Sequence, residues 1–248
     1  MTNGTAGQKL AFEVEPAARL FRLRLARYRY HAEVLAERLP DGPSIVVDAG
    51  CGKGRLPRYW NRWGVPTKTP RMIGMDIDRK RIGKSKEVGY PNLIAADLTR
   101  PWPFRDGTVD AVLCEQVLEH LNDSQFEFAL SEIRRVLKPG GTALVGTPVF
   151  MPVELLFSPI WTRINALLRR LQGMSVAPHL QHMSATRLRR RVEKSGLQPQ
   201  CVRGHRVFSL WYAWLEDYEW YYRLHSWFGR HTPSLCGEVT ITAMKPRA

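Results

Sequence analysis

Residues 46–54, Val-Val-Asp-Ala-Gly-Cys-Gly-Lys-Gly, hold the chain's clearest chemical signal. Apolar residues run into an acid, Asp48, and three glycines then alternate at Gly50, Gly52 and Gly54 before a helix-like segment. Such a run reads as a buried parallel strand, a tight turn and a helix whose start approaches a ligand closely. Glycine serves there because a Cβ would hold the ligand off the backbone amides. This spacing is shared by several nucleotide-binding folds, so its weight comes from the acids downstream. A short apolar run ends in a second acid at Asp76, and another ends at Asp97.

The elements that must position these residues can be read from the hydrophobic rhythm. Residues 15–39 lack glycine and proline after Pro16 and are expected as a helix, stopped by Pro40-Asp41-Gly42-Pro43. Strands are expected at 44–49, 71–76, 92–96, 109–114 and 142–146, with helices at 55–63, from near Asp78, and at 123–137. Pro139-Gly140-Gly141 is expected as a turn. The alternation implies an α/β, Rossmann-like, doubly wound and mostly parallel seven-stranded sheet. Helical insertions are expected after the fifth strand and before the last strand. Residues 1–43 form an N-terminal helical segment in this scheme, and 44–248 form one domain.

In the first insertion, 150–178, Ile160, Trp161, Ile164, Leu167, Leu168 and Leu171 share one helical face, opposite Arg163, Arg169 and Arg170. A helix is expected from an N-cap at Ser184 to Ser195, stopped by Gly196. The second insertion, 210–230, is rich in tryptophan and tyrosine at helical spacing. It suits a packed helix face, a wall of a ligand pocket or a dimer surface. Residues 238–245 read as the last strand.

Composition bounds the partners. The chain has 248 residues, 44% hydrophobic and 24% charged, which suits a soluble globular protein with a sizeable core. Its four cysteines, Cys51, Cys114, Cys201 and Cys236, lack metal-ligand spacing, so a reduced, cytoplasmic protein is expected, with no metal. Met1–Gln8 lacks the features of a signal peptide, and no apolar run is long enough to span a membrane. The net charge of +14 points to nucleic acid, an anionic membrane surface or an acidic substrate. The basic residues are spread over the chain, which weakens the nucleic-acid reading.

The pattern resembles the class I S-adenosylmethionine-dependent methyltransferases, most closely the branch with small-molecule enzymes such as those of quinone biosynthesis. The resemblance runs over about residues 44–196. It is carried in order by V-V-D-A-G-C-G-K-G, I-G-M-D-I-D, A-A-D-L-T-R-P-W-P-F, C-E-Q-V-L-E-H-L and E-I-R-R-V-L-K-P-G-G-T-A-L-V-G-T-P. It implies S-adenosyl-L-methionine as cofactor. Ala49, Gly50, Cys51, Gly52 and Gly54 would border its methionyl and ribose portion, and Asp48 would either order that loop or reach the methionyl ammonium through water. Asp76, followed by Ile77, would take the ribose hydroxyls. Asp97 and the Leu98 amide would meet the adenine, and Cys114, Glu115 and Gln116 would line the cofactor after the fourth strand. Asp78 suits a helix cap, and Cys51 suits packing rather than nucleophilic work.

Methyl transfer is an in-line displacement that the protein aligns and from which it removes a proton where the acceptor requires it. His120, His179 and His182 are the candidate bases. His182 is favoured as substrate-facing, with capping or ordering of the lid an equal alternative, whereas His120 suits a structural hydrogen bond better than a base. The acceptor is expected to be a small or lipid-linked molecule methylated at oxygen. The first insertion would form its lid, and the protein would sit peripherally on the inner face of a membrane. A homodimer is a further expectation. RNA or protein methylation, a nicotinamide-dependent oxidoreductase and a catalytically silent adaptor are the alternatives. No Asn-Pro-Pro-Tyr-type tetrapeptide follows the fourth strand, and no appended RNA-binding module is recognisable, which disfavours the first of these.

Overall fold

The computed structural model describes residues 25–64, 67–87, 90–149, 181, 183–205 and 218–247. The 150–178 insertion, His179, His182 and the first part of the aromatic insertion lie outside the described residues. The chain forms helix α1 (Leu25–Arg38), β1 (Gly42–Ala49), α2 (Leu56–Trp63), β2 (Lys68–Asp76), α3 (Arg79–Glu87), β3 (Asn92–Ala95) and β4 (Val109–Glu115). It continues through α4 (Asp123–Val136), β5 (Leu137–Pro148), α5 (Ala185–Lys194), β6 (Gln198–His205), α6 (Glu219–His231) and β7 (Glu238–Met244). A single seven-stranded sheet has the order β3-β2-β1-β4-β5-β7-β6. Strands β1 to β5 pair in parallel, and β7 runs antiparallel to both β5 and β6. The chain therefore reverses its winding between β1 and β4, and the crevice beyond the carboxyl ends of those strands is where such sheets bind ligands.

Alternation along the strands sends successive residues to opposite faces. Val46, Ala111, Leu113 and Leu144 pack under Tyr30, Val34, Leu35 and Leu39 of α1 and the following turn. Val47, Ala49, Val112, Cys114 and Val145 face Phe126, Leu130 and Ile133 of α4 and Leu188 and Val192 of α5. Helix α4 starts at a capping box in which Asn122 and Gln125 satisfy each other's backbone N–H groups. Helix α5 starts where the Ser184 side chain accepts from the Arg187 N–H, and the chain turns away at Gly196 with φ 84°.

Three elements differ from the sequence expectation. Strand β2 begins at Lys68 rather than at 71, because its first residues pair with Gly42, Pro43 and Ser44 of a longer β1. Strand β5 runs from Leu137 through the expected Pro-Gly-Gly turn, which the Lys245 N–H closes onto the Gly141 carbonyl. Strand β6 has no counterpart among the expected strands. Its sequence, Gln-Pro-Gln-Cys-Val-Arg-Gly-His, carries a proline, a glycine and little alternation. It is extended because β7 offers it a ladder, and its edge position tolerates Pro199.

Candidate functional site

The glycine segment leaves β1 at Ala49 and is stitched to the end of β2. The Gly50 and Cys51 N–H groups both donate to the Met75 carbonyl, at 2.8 and 2.9 Å. The path needs glycine, since Gly50 has φ 82° and a Cβ there would run into the Val117 side chain. A Cβ at Gly54 would lie 2.7 to 2.9 Å from Ser85 and Tyr90, so this end of the loop packs directly on α3 and the turn after it.

Asp76 is buried and latches the loop. Its Oδ2 accepts from the Gly52 N–H and its Oδ1 from the Asp78 N–H, both at 2.9 Å. Asp78 caps α3 by accepting from the Lys80 N–H, as its sequence context implied. Ile77 between them is 68% exposed, an apolar platform beside the carboxylate. Asp97 lies two residues beyond β3, where its Oδ1 accepts from the Thr99 N–H and hydroxyl. Those bonds hold its carboxyl below the usual range. Asp48, near the end of β1, accepts from the Tyr90 hydroxyl at 3.2 Å. Burial, with Glu115 and Asp76 adding their charge, pushes it up to about 7 against that hydrogen bond.

Carboxylates thus stand at or just beyond the carboxyl ends of four neighbouring strands: Asp48, Asp76, Asp97 and Glu115. In a chain of net charge +14 this is a local inversion of sign, and it suits a cation. Of the other expected cofactor neighbours, Ala49, Cys51 and Leu98 are buried, so they can offer the crevice backbone rather than side chain. Burial holds the Cys51 thiol up at about 12, which suits packing and not nucleophilic attack. Cys114 departs from its expected place, because the strand's alternation turns it, fully buried, into the α4 side of the core. Glu115 and Gln116 are the residues β4 delivers to the crevice end.

Beside the crevice, Glu115, expected from the sequence, belongs to a buried polar group whose members His31, Arg27, Glu238 and Thr240 sequence reasoning missed. His31 of α1 is 1% exposed, and its Nε2 sits 3.0 Å from Glu115 Oε1 without a hydrogen bond's alignment, while that oxygen accepts from the Thr240 hydroxyl. Glu115 lies so close over Gly146 that a Cβ there would enter its carboxylate. Arg27 pairs with Glu238 at 2.9 Å, both buried. Glu119 is buried and pushed up to about 8, chiefly by desolvation. Glu115 Oε2, Gln116 Nε2, Glu119 Oε2, Thr147 Oγ1 and both His31 ring nitrogens lack a hydrogen-bond partner among the described residues. Gln116 holds φ 60°, a left-handed backbone that a non-glycine residue adopts only under surrounding constraint. Orphaned groups and strain so concentrated mark a place built to meet something polar. His120 is partly exposed, with Nε2 3.9 Å from Glu119 Oε1. The sequence signals for this group are faint: a histidine one turn after an arginine in α1, and an acid opening the last strand.

Residues 47–145, the stretch running from the end of β1 into β5 and holding all four acids, match the family described as "Methyltransferase domain". This stretch is a methyltransferase domain. It belongs to the class I, S-adenosylmethionine-dependent methyltransferases. Among sequence relatives, the "Probable S-adenosylmethionine-dependent methyltransferase" of Mycolicibacterium smegmatis is 38% identical over 104 residues, 42% of this chain and 37% of that protein. A tRNA (carboxymethyluridine(34)-5-O)-methyltransferase of Arabidopsis thaliana is 30% identical over 131 residues, 52% of this chain and 30% of its own length. The chain therefore spans well under two thirds of either relative. The structure of a SAM-dependent methyltransferase from Archaeoglobus fulgidus superposes with a TM-score of 0.61 over 92% of this chain and 98% of that one, at 16% identity.

The residues of the methyltransferase domain fit S-adenosylmethionine. Its sulfonium and ammonium are cationic and suit the four acids, which would repel a pyrophosphate. Asp76 retains lone pairs for ribose hydroxyls, and Ile77 offers its exposed side chain to an aromatic base.

Proposed function

We propose that the chain transfers a methyl group from S-adenosylmethionine to an oxygen of a small or lipid-linked acceptor, reached from an anionic membrane surface. The observation that carries this is the set of carboxylates Asp48, Asp76, Asp97 and Glu115 around the glycine loop, with Ile77 exposed among them. The cofactor supplies a methyl already activated by a positive sulfur, so the protein's task is alignment and proton removal. Asp76 and the Leu98 backbone hold the two ends of the nucleoside in this reading. The acceptor's proton passes to His31 Nδ1, while Glu115 steadies the imidazole from its other side. Glu119, kept protonated near neutral pH, donates a hydrogen bond rather than adding a charge. His182, the base favoured from sequence, lies outside the described residues.

Calorimetry with S-adenosylmethionine and with nicotinamide dinucleotides tests the first half. Tight binding of the sulfonium cofactor, lost in Asp76→Ala, is expected, and binding of the dinucleotide alone would end the proposal. Transfer of labelled methyl from S-adenosylmethionine to a panel of phenols, carboxylic acids and lipid extracts tests the second half. His31→Gln should keep cofactor affinity and lose transfer. A tRNA methyltransferase reading is favoured by the Arabidopsis thaliana relative and by the net charge. Label entering tRNA but none of the small or lipid acceptors would replace the first reading with that one.

A further inference from the structure

Helix α6 carries a stripe of apolar side chains that the fold leaves in water. Trp220, Leu224 and Trp227 recur at helical spacing on one face, at 49%, 43% and 55% exposure, and Leu235, in the separate 3-10 turn Pro233–Leu235 beyond the helix, is 54% exposed. Among the described residues, only one other large hydrophobic side chain is exposed, Ile77 in the cofactor crevice. The stripe is therefore a concentration and not scatter.

The helix does not need that face for its own packing. Tyr221, Tyr222, His225 and Gly229 bury the opposite side, with Gly229 seated directly on the Gly204 backbone of β6. Arg203 Nη1 donates to the Ser226 carbonyl, the Tyr222 hydroxyl to Glu33, and Arg29 pairs with Glu219. Helix α6 is thus bolted to β6 and α1, and it presents the stripe without any ordering on contact. One border of the stripe carries Arg230 and Arg223, both exposed, the latter's Nε donating to Glu219 at 3.2 Å and its Nη groups left toward solvent. Trp227 is braced by His231, whose ring lies 4.6 Å away.

We infer that this face of α6 is the element by which the protein sits on an anionic phospholipid surface. Tryptophan belongs at the boundary between headgroups and acyl chains, leucine belongs beneath it, and arginine meets the phosphates. Charge decides between this occupant and a second copy of the chain. Two copies at +14 repel each other, whereas a negative leaflet attracts every such copy. The aliphatic Leu224 and Leu235 suit acyl chains better than stacked bases. The inference rests on the proposed methyl transfer only for the purpose the docking serves.

The test uses the full chain and vesicles of phosphatidylcholine with and without phosphatidylglycerol, at low and high salt, read by co-sedimentation. Binding to the anionic vesicles is expected, weakened but not abolished by salt. The double variant Trp220→Ser/Trp227→Ser should bind at least roughly tenfold more weakly. Arg223→Gln/Arg230→Gln should lose the preference for phosphatidylglycerol. Calorimetry of the serine variant with S-adenosylmethionine, expected unchanged, shows that the fold is intact and separates a failure here from a failure of the methyltransferase reading. The inference is overturned if the wild type ignores anionic vesicles or the serine variant binds them equally well. It is likewise overturned if the serine variant instead dissociates an oligomer or loses tRNA binding.

Discussion

Asp48 offers a sharp test because its environment works against its charge. In the folded chain its carboxyl sits at about 7 instead of 3.8, through burial and the nearby Glu115 and Asp76. Between those two values the folded state keeps a proton that the unfolded state has released, so wild-type stability falls as pH rises through that window. Each pH unit is worth about 1.4 kcal/mol, which gives a ceiling of roughly 4 kcal/mol by pH 7 and no further loss above it. Asp48 keeps some solvent contact, so a discounted figure of about 2 kcal/mol is expected in practice. Asp48→Asn removes the charge, keeps the shape and retains an acceptor for the Tyr90 hydroxyl. Its stability relative to wild type should therefore improve by about 2 kcal/mol between roughly pH 4 and pH 8, measured by urea unfolding across that range. On the proposed placement of the cofactor's cation beside Asp48, the same change should weaken S-adenosylmethionine binding near pH 8. Binding to the wild type near pH 7 should release a proton, seen as a calorimetric heat that depends on the buffer, and the variant should release none. A stability difference that is flat with pH, or that turns toward wild type as pH rises, would refute the assignment of a raised Asp48.

Three further outcomes are expected from the geometry. Gly50→Ala places a Cβ against Val117 at φ 82° and should destabilise the chain by about 2–4 kcal/mol in chemical unfolding. Trimming Val117 to alanine in the same chain should recover only the part due to the clash. Asp76→Ala frees the Gly52 and Asp78 N–H groups and should lower cofactor affinity roughly a hundredfold by calorimetry, since a charge-assisted acceptor and the loop latch go together. Ser184→Ala removes the cap of α5 and should cost about 1 kcal/mol of stability while leaving cofactor affinity unchanged.

Legibility in the sequence tracks the range of the interactions. The glycine loop, the acids at strand ends and the alternation of strand with helix are all written in neighbouring residues. A glycine that must take a left-handed φ, or an acid closing an apolar run, needs no distant partner to be recognised. The same locality makes the Ser184 cap readable, since its bond closes within one turn. Strand β6 escapes because nothing in its own residues demands extension; only the ladder from β7 does. Cys114 is expected beside the cofactor and lies in the core, since a strand's phase against its neighbours decides which side chain faces which way.

The deepest gap concerns groups far apart in the chain. Sequence alone determined the alternation of strand and helix through β5 and the position of the glycine loop, because those rest on local backbone chemistry, while the cofactor class came from resemblance to a family. Tertiary structure alone brought His31 of α1 against Glu115 of β4, and Arg27 against Glu238 of β7. It also decided that within one aromatic helix Tyr221 and Tyr222 turn inward while Trp220 and Trp227 face water. Both outcomes are settled by how α1 and α6 dock on the sheet, and docking depends on complementary surfaces that no single stretch of residues contains.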